Sequence, residues 1–256
     1  MQFGICAPAE RAEAMRRAGF DFLELPLSAV RAWEEREVRE TAARLRDAGM
    51  PALAFNGLLA PGLRICGGPR EEAALDEYFD GLFDRAAALG GALVVFGSGA
   101  ARRVPDELPR EAGEARVEAF ARRLARLAAR SGLRVVIEPL NRAECNVLTR
   151  ADEALALAQR IGDPALGVLV DIYHLYHEEE PLADVETLGS ALWHVHMAQP
   201  VTRGICAPDD GFDYRPFAAA LRRIGYDGGV SLECANPMPD AHQLEECLKV
   251  LRSLAE

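Results

Sequence analysis

Short apolar segments alternate with segments of helical spacing along the whole chain, and this alternation constrains the fold more than any other feature. The apolar segments are rich in Val, Leu, Ile and Phe and are bounded by Gly, Pro or polar residues, as β-strands are. Strands separated by helices form a parallel sheet with right-handed crossovers. The predicted strands are Gln2–Cys6, Phe20–Leu25, Ala52–Phe55, Ala92–Phe96, Arg134–Glu138, Leu166–Asp171, Leu192–His196 and Gly229–Glu233.

The number of predicted strands distinguishes a closed barrel from an open sheet. Eight strands in 256 residues fit one (β/α)₈ barrel, whose usual length is about 250 residues. No GxGxxG sequence follows the first strand, which argues against an open dinucleotide-binding sheet. The FGSGA turn after the fourth strand is too weak a signal to assign phosphate binding. Since no linker, charge block or low-complexity stretch interrupts the chain, we expect an α/β protein with a single (β/α)₈ domain, residues 1–256.

Charge and composition exclude several functional classes. The net charge of −11 argues against a nucleic-acid partner, because phosphate backbones are bound by basic surfaces. No run of about 18 apolar residues is present, so we expect no membrane span. The N-terminus lacks the basic and apolar regions of a signal peptide, and the six cysteines are scattered, which predicts a reduced, cytoplasmic protein. Lys249 is the only lysine, which excludes a Schiff-base mechanism.

Acidic or imidazole side chains end four predicted strands in the second half of the chain. They are Glu138, Asp171, His196 and Glu233. Because the carboxyl ends of parallel barrel strands converge on one mouth, we expect these side chains to meet there. Three carboxylates and one imidazole suit a fairly hard divalent ion, Mn²⁺ or Mg²⁺ most naturally, with Co²⁺ or Zn²⁺ as alternatives. The sequence therefore predicts a metal-dependent enzyme.

Short motifs on the last four predicted strands resemble those of a known family. The motifs are IEPLNRAE, DIYH, HVH and SLE, in this order. They are similar to the fifth- to eighth-strand motifs of the xylose isomerase-like TIM barrels, the sugar phosphate isomerase/epimerase superfamily, and the resemblance covers the whole chain. Within that superfamily it is closest to the ketose 3-epimerases and hydroxypyruvate isomerases. The resemblance implies that the four strand-end residues are metal ligands, that Glu138 and Glu233 also form the acid/base pair, and that His174 lies near the substrate.

The same ligand set is consistent with a particular chemistry on physical grounds. Four protein ligands on an octahedral ion leave two positions for a vicinal keto and hydroxyl pair. The ion then polarises the carbonyl and stabilises the enediolate that forms when the neighbouring C–H is deprotonated. Epimerisation needs one base on each face of that enediolate. Glu138 and Glu233, three strands apart around the barrel, can approach from opposite sides.

The resemblance also implies two substrate-binding residues. The NRxE run that ends at Glu144 is closer to ketose 3-epimerases than to hydroxypyruvate isomerases, which implies that Glu144 holds a substrate hydroxyl. Arg203 lies in the loop after the seventh strand, slightly further along than where related enzymes place a substrate-binding Arg. The chain departs from the family at Ala143, where an aromatic residue is usual, and at Gln199, where an acidic residue is common. Since loops over the mouth set specificity, these departures leave the substrate open.

Several of these side chains also have plain structural interpretations. A strand-end Glu can cap a helix or pair with an Arg, and Asp171 can cap the helix that follows it. His174 could be an ordinary helix-face residue, and we expect His177 to lie at the surface. His194 is predicted to be a packed, hydrogen-bonded core residue or a group that orients a ligand. Glu24, at the end of the second strand, faces the mouth but is equally explained by a salt bridge.

Four functions can be compared with these observations. The first is a sugar isomerase or epimerase of carbohydrate metabolism, acting on a ketose or ketose phosphate. The second is another enediolate reaction, either hydroxypyruvate isomerisation or dehydration of a keto-inositol. An endonuclease IV-like hydrolase needs His ligands from earlier strands, whereas all five histidines lie in the C-terminal third, and a non-catalytic sugar-binding barrel would have a broken ligand set. We therefore predict a metal-dependent isomerase/epimerase with a small sugar or keto-acid substrate; the sequence leaves the metal and a homo-oligomeric state open.

Overall fold

Eight parallel strands close into a barrel among the residues that the computed structural model describes, 1–234 and 239–256. Each strand pairs with the next along the chain, and the last pairs with the first. The strands are β1 (Gln2–Cys6), β2 (Phe22–Pro26), β3 (Ala52–Asn56), β4 (Leu93–Phe96), β5 (Arg134–Ile137), β6 (Leu166–Asp171), β7 (Leu192–Met197) and β8 (Gly229–Leu232). The predicted (β/α)₈ barrel is confirmed.

The predicted strand bounds are correct for β1 and β6 and differ by one or two residues elsewhere. β2 begins two residues later than predicted, because the Phe20 N–H donates to the Met15 carbonyl at 3.1 Å and closes the preceding helix. β2, β3 and β7 extend one residue further than predicted, and β4 begins one residue later. These differences arise because the ladder hydrogen bonds, and not residue type, decide where each strand ends.

Glu138 and Glu233 stand one residue beyond β5 and β8, whereas the sequence placed them inside these strands. Both remain attached to a neighbouring strand through their backbone N–H groups. Glu138 donates to the Phe96 carbonyl at 3.2 Å, and Glu233 donates to the Met197 carbonyl at 2.9 Å. Each side chain therefore leaves the sheet from a backbone position that is still fixed.

Helices follow the strands and cover the outside of the barrel. They are α1 (Ala12–Ala18), α2 (Leu27–Val30), α3 (Glu35–Asp47), α4 (Pro69–Phe79), α5 (Leu82–Ala88), α6 (Gly99–Arg102), α7 (Arg110–Arg130), α8 (Ala151–Ile161), α9 (Ile172–His177), α10 (Leu182–Leu188), α11 (Arg215–Arg223) and α12 (Ala241–Ser253). In the longest, α7, the buried Val117, Phe120 and Leu124 recur at helical spacing and face the barrel. No helix among the described residues is both long and apolar enough to cross a membrane.

The barrel interior changes from apolar to acidic toward the carboxyl ends of the strands. An apolar cluster fills its lower part: Phe22, Ala54, Leu93, Val95, Val136 and Leu169. Strand residues two apart face the same side of a sheet. Three acidic residues stand two positions after members of this cluster: Glu24 after Phe22, Glu138 after Val136, and Asp171 after Leu169. The acidic layer therefore rests directly on an apolar floor.

Candidate active site

The side chains predicted at the mouth of the barrel meet at one point. One ligand atom from each of Glu138, Asp171, His196 and Glu233 lies within 4.8 Å of all the others. β6 and β7 carry Asp171 and His196, whereas the two glutamates directly follow β5 and β8. Glu138, Asp171 and His196 are buried, and the Glu233 side chain is 23 % exposed, so the group meets solvent at Glu233. The convergence expected from the strand ends is present.

His196 stands between acidic groups and has different partners at its two ring nitrogens. Nδ1 lies 3.1 Å from Glu138 Oε1 and 3.3 Å from Glu233 Oε2. Nε2 lies 2.9 Å from Glu24 Oε1. Burial opposes a charge on His196, but Glu24 and Glu233 raise its pKa well above the usual value, so the ring is an imidazolium whose Nδ1 donates to the two glutamates. Because Glu24 holds the Nε2 proton, Nδ1 is the nitrogen that can release its proton and bind a cation. Glu24 therefore orients the ring so that Nδ1 can serve as a ligand.

Glu24 is fully buried and lies against two imidazoles. Its Oε2 is 2.8 Å from His194 Nε2, which is also 3.1 Å from Ser231 Oγ. Burial alone would raise the pKa of Glu24, but His196 and His194 hold it well below its usual value. Glu24 faces the mouth as expected, and the partners of its predicted salt bridge are the two imidazoles, which it orients. Its position two residues after the inward-facing Phe22 is the sequence signal that points to this role.

The donor set fits a divalent cation. Asp171 Oδ1 accepts from the Tyr173 N–H at 2.9 Å and caps α9, whereas Oδ2 is buried without a hydrogen-bond partner among the described residues. Burial, followed by the charge of Glu233, raises the pKa of Asp171 to about 7. A buried carboxylate oxygen without a donor is costly, and a bound cation removes this cost. Three carboxylates and the Nδ1 of His196 are ligands that Mn²⁺ or Mg²⁺ would accept.

His174 presents one ring nitrogen beside the acidic group. Its Nδ1 accepts from the Asn141 backbone N–H at 3.2 Å, so the proton of the neutral ring belongs on Nε2. Burial lowers the pKa of His174 to about 3, and the ring is therefore neutral. Nε2 is buried 3.7 Å from Asp171 Oδ2 and lacks a hydrogen-bond partner in the described part of the chain. His174 thus offers an N–H donor to a bound molecule, whereas His177 is exposed, in line with the expected surface position.

Arg203 and Glu144 reach the mouth and contact each other. Arg203 Nη1 lies 2.9 Å from Glu144 Oε1, and Nη2 lies 3.1 Å from Glu233 Oε2. The guanidinium also lies over the ring of Tyr173, 4.7 Å from its centroid. Arg203 has a left-handed backbone (φ 54°), and the loop that carries it is organised by Gln199, whose side chain accepts three hydrogen bonds. Gln199 therefore supplies the acceptor that an acidic residue would also supply.

Gly97 makes room for the Glu138 carboxylate, a role that the sequence interpretation missed. A Cβ atom on Gly97 would lie 2.2 Å from Glu138 Oε2, far inside van der Waals contact. Any other residue at this position would displace the carboxylate. The sequence signal is the FGSGA turn after β4, which by itself is too weak to assign phosphate binding.

Gly97→Ala is expected to weaken Mn²⁺ binding by about 10-fold or more, since groups that orient a metal ligand typically contribute about 10- to 100-fold to affinity. Isothermal titration calorimetry on the folded variant measures this change. Gly68→Ala is a matched control, because its added methyl would meet only the Glu71 carboxylate, at 3.7 Å. Unchanged Mn²⁺ affinity in Gly97→Ala would show that the Glu138 carboxylate does not need this space.

The barrel and its acidic mouth define a known class of protein. Residues 12–254 match the family model of the xylose isomerase-like TIM barrel, and the chain belongs to this family. It is 31 % identical over 240 residues to a ketose 3-epimerase of Arthrobacter globiformis, and this alignment covers 93 % of this chain and 81 % of that protein. It is 30 % identical over 242 residues to an L-ribulose 3-epimerase of Methylomonas sp. (strain DH-1), covering 93 % of this chain and 82 % of that protein.

A solved structure has the same fold. The D-psicose 3-epimerase from Clostridium cellulolyticum H10, determined with D-tagatose, superimposes with a TM-score of 0.85 at 20 % identity and covers 100 % of this chain and 98 % of that one. The homologous epimerases make this chain an enzyme of the isomerase and epimerase class. The resemblance drawn from the four strand-end motifs is confirmed.

Proposed function

We propose that this protein is a divalent-metal-dependent epimerase that inverts C3 of a ketose or ketose phosphate. The observation that carries the proposal is the pair of carboxylates, Glu138 and Glu233, that flank His196 Nδ1 at 3.1 and 3.3 Å. They come from positions after β5 and β8, three strands apart, as two bases for opposite faces of one carbon would. The names of the homologous 3-epimerases support the choice of C3.

Glu138 and Glu233 transfer the protons in this proposal. One carboxylate removes the proton from the substrate carbon, and the other returns a proton to the opposite face, which inverts the centre. Each carboxylate has two oxygens, so ligation and proton transfer do not compete for one atom. When bound at Glu138, Asp171, His196 and Glu233, a divalent ion supplies a Lewis acid that polarises the substrate carbonyl and stabilises the enediolate.

His174, Glu144 and Arg203 hold the substrate. His174 Nε2 is a buried donor beside Asp171, placed to donate to a substrate oxygen close to the reacting carbon. Glu144 and Arg203 lie further out, where their contact at 2.9 Å joins an acceptor and a donor for sugar hydroxyls. A site built to bind hydroxyls discriminates against analogues that lack them, because its own polar groups are then left unpaired.

An activity screen of the Mn²⁺-loaded protein tests the proposal. Ketoses, ketose phosphates, hydroxypyruvate and keto-inositols are each incubated with the protein, and the products are identified by NMR. We expect inversion at C3 of a ketose. Turnover of hydroxypyruvate or dehydration of a keto-inositol, with no reaction of any ketose, would replace the epimerase with another enediolate enzyme on the same site.

Arg203→Ala and Glu144→Ala are each expected to lower kcat/KM on the ketose by about 10- to 100-fold, because hydrogen bonds to charged groups contribute about 1.5–3 kcal/mol. Mn²⁺ content should stay unchanged, since neither residue belongs to the proposed ligand set. Arg142→Ala is a control from the same loop as Glu144: its side chain is 68 % exposed and pairs with Glu178, which belongs to neither the proposed ligands nor the proposed substrate-binding residues. If both substitutions are silent and hydroxypyruvate is a good substrate, a small keto-acid isomerase takes the place of the epimerase.

A further inference from the structure

Arg102 is a fully buried arginine next to the active site. It ends the short helix α6, which follows β4, and its relative exposure is 0 %. A buried guanidinium usually lies against a carboxylate, because an isolated charge in the protein interior is costly. In the described part of the chain, no carboxylate lies within 4.0 Å of Arg102, and its Nε has no hydrogen-bond partner. The guanidinium lies over the ring of Phe96, 5.5 Å from its centroid, so its charge is met by this ring and by backbone carbonyls in place of a carboxylate.

The hydrogen bonds of Arg102 all go to backbone carbonyls around the active site. Nη1 donates to the Phe96 carbonyl at 3.2 Å and to the Glu138 carbonyl at 3.0 Å. Nη2 donates to the Leu148 carbonyl at 3.3 Å. One guanidinium therefore ties together the end of β4, the catalytic candidate after β5 and the far end of the loop that follows it.

Glu138 has a particular need for such a donor. β5 ends at Ile137, and the β5–β6 ladder ends with Ile137 opposite Val168, so the Glu138 carbonyl lies past the last pair. Residues 138–141 are nevertheless buried, and a buried carbonyl needs a donor. Arg102 provides the donor that β6 no longer provides. Leu148, held by the same guanidinium, has a left-handed backbone (φ 54°), which also needs support from its surroundings.

We propose that Arg102 is a positioning residue for the proposed acid/base Glu138, acting through the Glu138 carbonyl. The inference rests on the proposed function only in assigning proton transfer to Glu138. Arg102 fixes the backbone of Glu138 through its carbonyl, and Gly97 leaves space for its carboxylate, so both ends of the residue are held. Catalysis depends strongly on such placement, because a displacement of about 1 Å can cost about 10²-fold in rate.

Arg102→Lys tests this role while keeping the positive charge. A single ammonium cannot reproduce the planar fork that reaches three carbonyls. We expect the folded variant to bind Mn²⁺ about 10-fold more weakly, and kcat to fall by about 10- to 100-fold with KM changed by less than about threefold. Arg103→Lys is the matched control, since the neighbouring Arg103 is exposed and its guanidinium donates to the Ala143 carbonyl, in the loop after β5.

A deuterium isotope effect separates positioning from general damage. The substrate and its C3 epimer, each with deuterium at C3, are assayed in the forward and reverse directions. Displacement of Glu138 leaves Glu233 in place, so proton transfer becomes slower on one face only. For the epimer whose proton Glu138 removes, this removal limits the rate more strongly and the isotope effect on kcat/KM should rise. For the other epimer, the slow step is the return of a proton by Glu138, so the isotope effect should fall. A nonspecific defect would change both alike.

The outcomes distinguish this inference from the proposed function. If the wild-type protein converts no ketose but Arg102→Lys still weakens Mn²⁺ binding, the positioning role stands and the epimerase assignment fails. Arg102→Met is the second variant in case Arg102→Lys does not fold. Folded variants that retain Mn²⁺ affinity and kcat within about twofold overturn the proposal (a change of only about 0.4 kcal/mol). If neither variant folds, Arg102 is a residue of the fold alone and the proposal is also overturned.

Discussion

Replacing either Glu138 or Glu233 by Gln is expected to leave the protein folded and to reduce ketose turnover by at least about 10²-fold, and by up to about 10⁴-fold. The amide keeps the shape of the carboxylate but cannot accept a proton from carbon at neutral pH. Because the proposal assigns one base to each face, both substitutions should be severe, and neither glutamate should replace the other. Steady-state kinetics on Mn²⁺-loaded protein measures the loss, and Glu111→Gln, at an exposed position in α7, controls for the change of Glu to Gln.

Solvent exchange reports the proton transfer directly. During wild-type turnover in deuterated water, we expect deuterium to enter the substrate at C3, because the proton removed by one carboxylate mixes with solvent before the other returns one. Each Gln variant should lose inversion at this carbon. Wild-type turnover without exchange, together with a label carried within the substrate, would indicate a hydride shift and would remove the acid/base role from both glutamates.

The second large effect is expected from the metal. The protein should bind about one divalent ion per chain, and a chelator should abolish turnover. Since an ion that binds only the folded state stabilises it, by about 2.7 kcal/mol at a concentration 100 times Kd, chelation should lower Tm by roughly 5–10 °C. Asp171→Asn removes a charge from the group, and His196→Ala removes the imidazole between the two glutamates, so each should weaken Mn²⁺ binding.

Elemental analysis, calorimetric titration and thermal unfolding together measure the metal effect. His177→Ala is the control for His196→Ala, because His177 is exposed and lies on α9 outside the acidic group. Absence of a stoichiometric ion after reloading with Mn²⁺, with an unchanged Tm, would contradict the metal site. In that case the close approach of the carboxylates would need another source of positive charge.

The fold and the four-residue group were predictable from sequence for a simple physical reason. Parallel strands in a barrel all end at one mouth, so residues far apart in sequence, such as Glu138 and Glu233, come together if the strands are correctly identified. An error of one residue in a strand end does not change this result. Both glutamates in fact lie just beyond their strands, and their backbone N–H groups still hold them there.

The residues that support this group were not predictable in the same way. The role of Gly97 depends on a distance to Glu138 Oε2, and that of Arg102 depends on three carbonyls brought together by the closed barrel. Glu24 resembles any other strand-end carboxylate until the rings of His194 and His196 are placed against it. Such roles depend on packing across the barrel, and a linear pattern of residue types does not record it.

The apolar floor of the barrel limits how an ion and a substrate can enter and leave the site. The buried side chains of Phe22, Val136 and Leu169 fill the barrel beneath Glu24, Glu138 and Asp171, so we expect an ion held by the acidic group not to pass through the base of the barrel. Entry and exit are left to the mouth, on the side where Glu233 meets solvent. The substrate uses the same opening in the proposed reaction. A bound sugar would then block the exit of the ion, and the dissociation rate of the ion would depend on how often the sugar leaves.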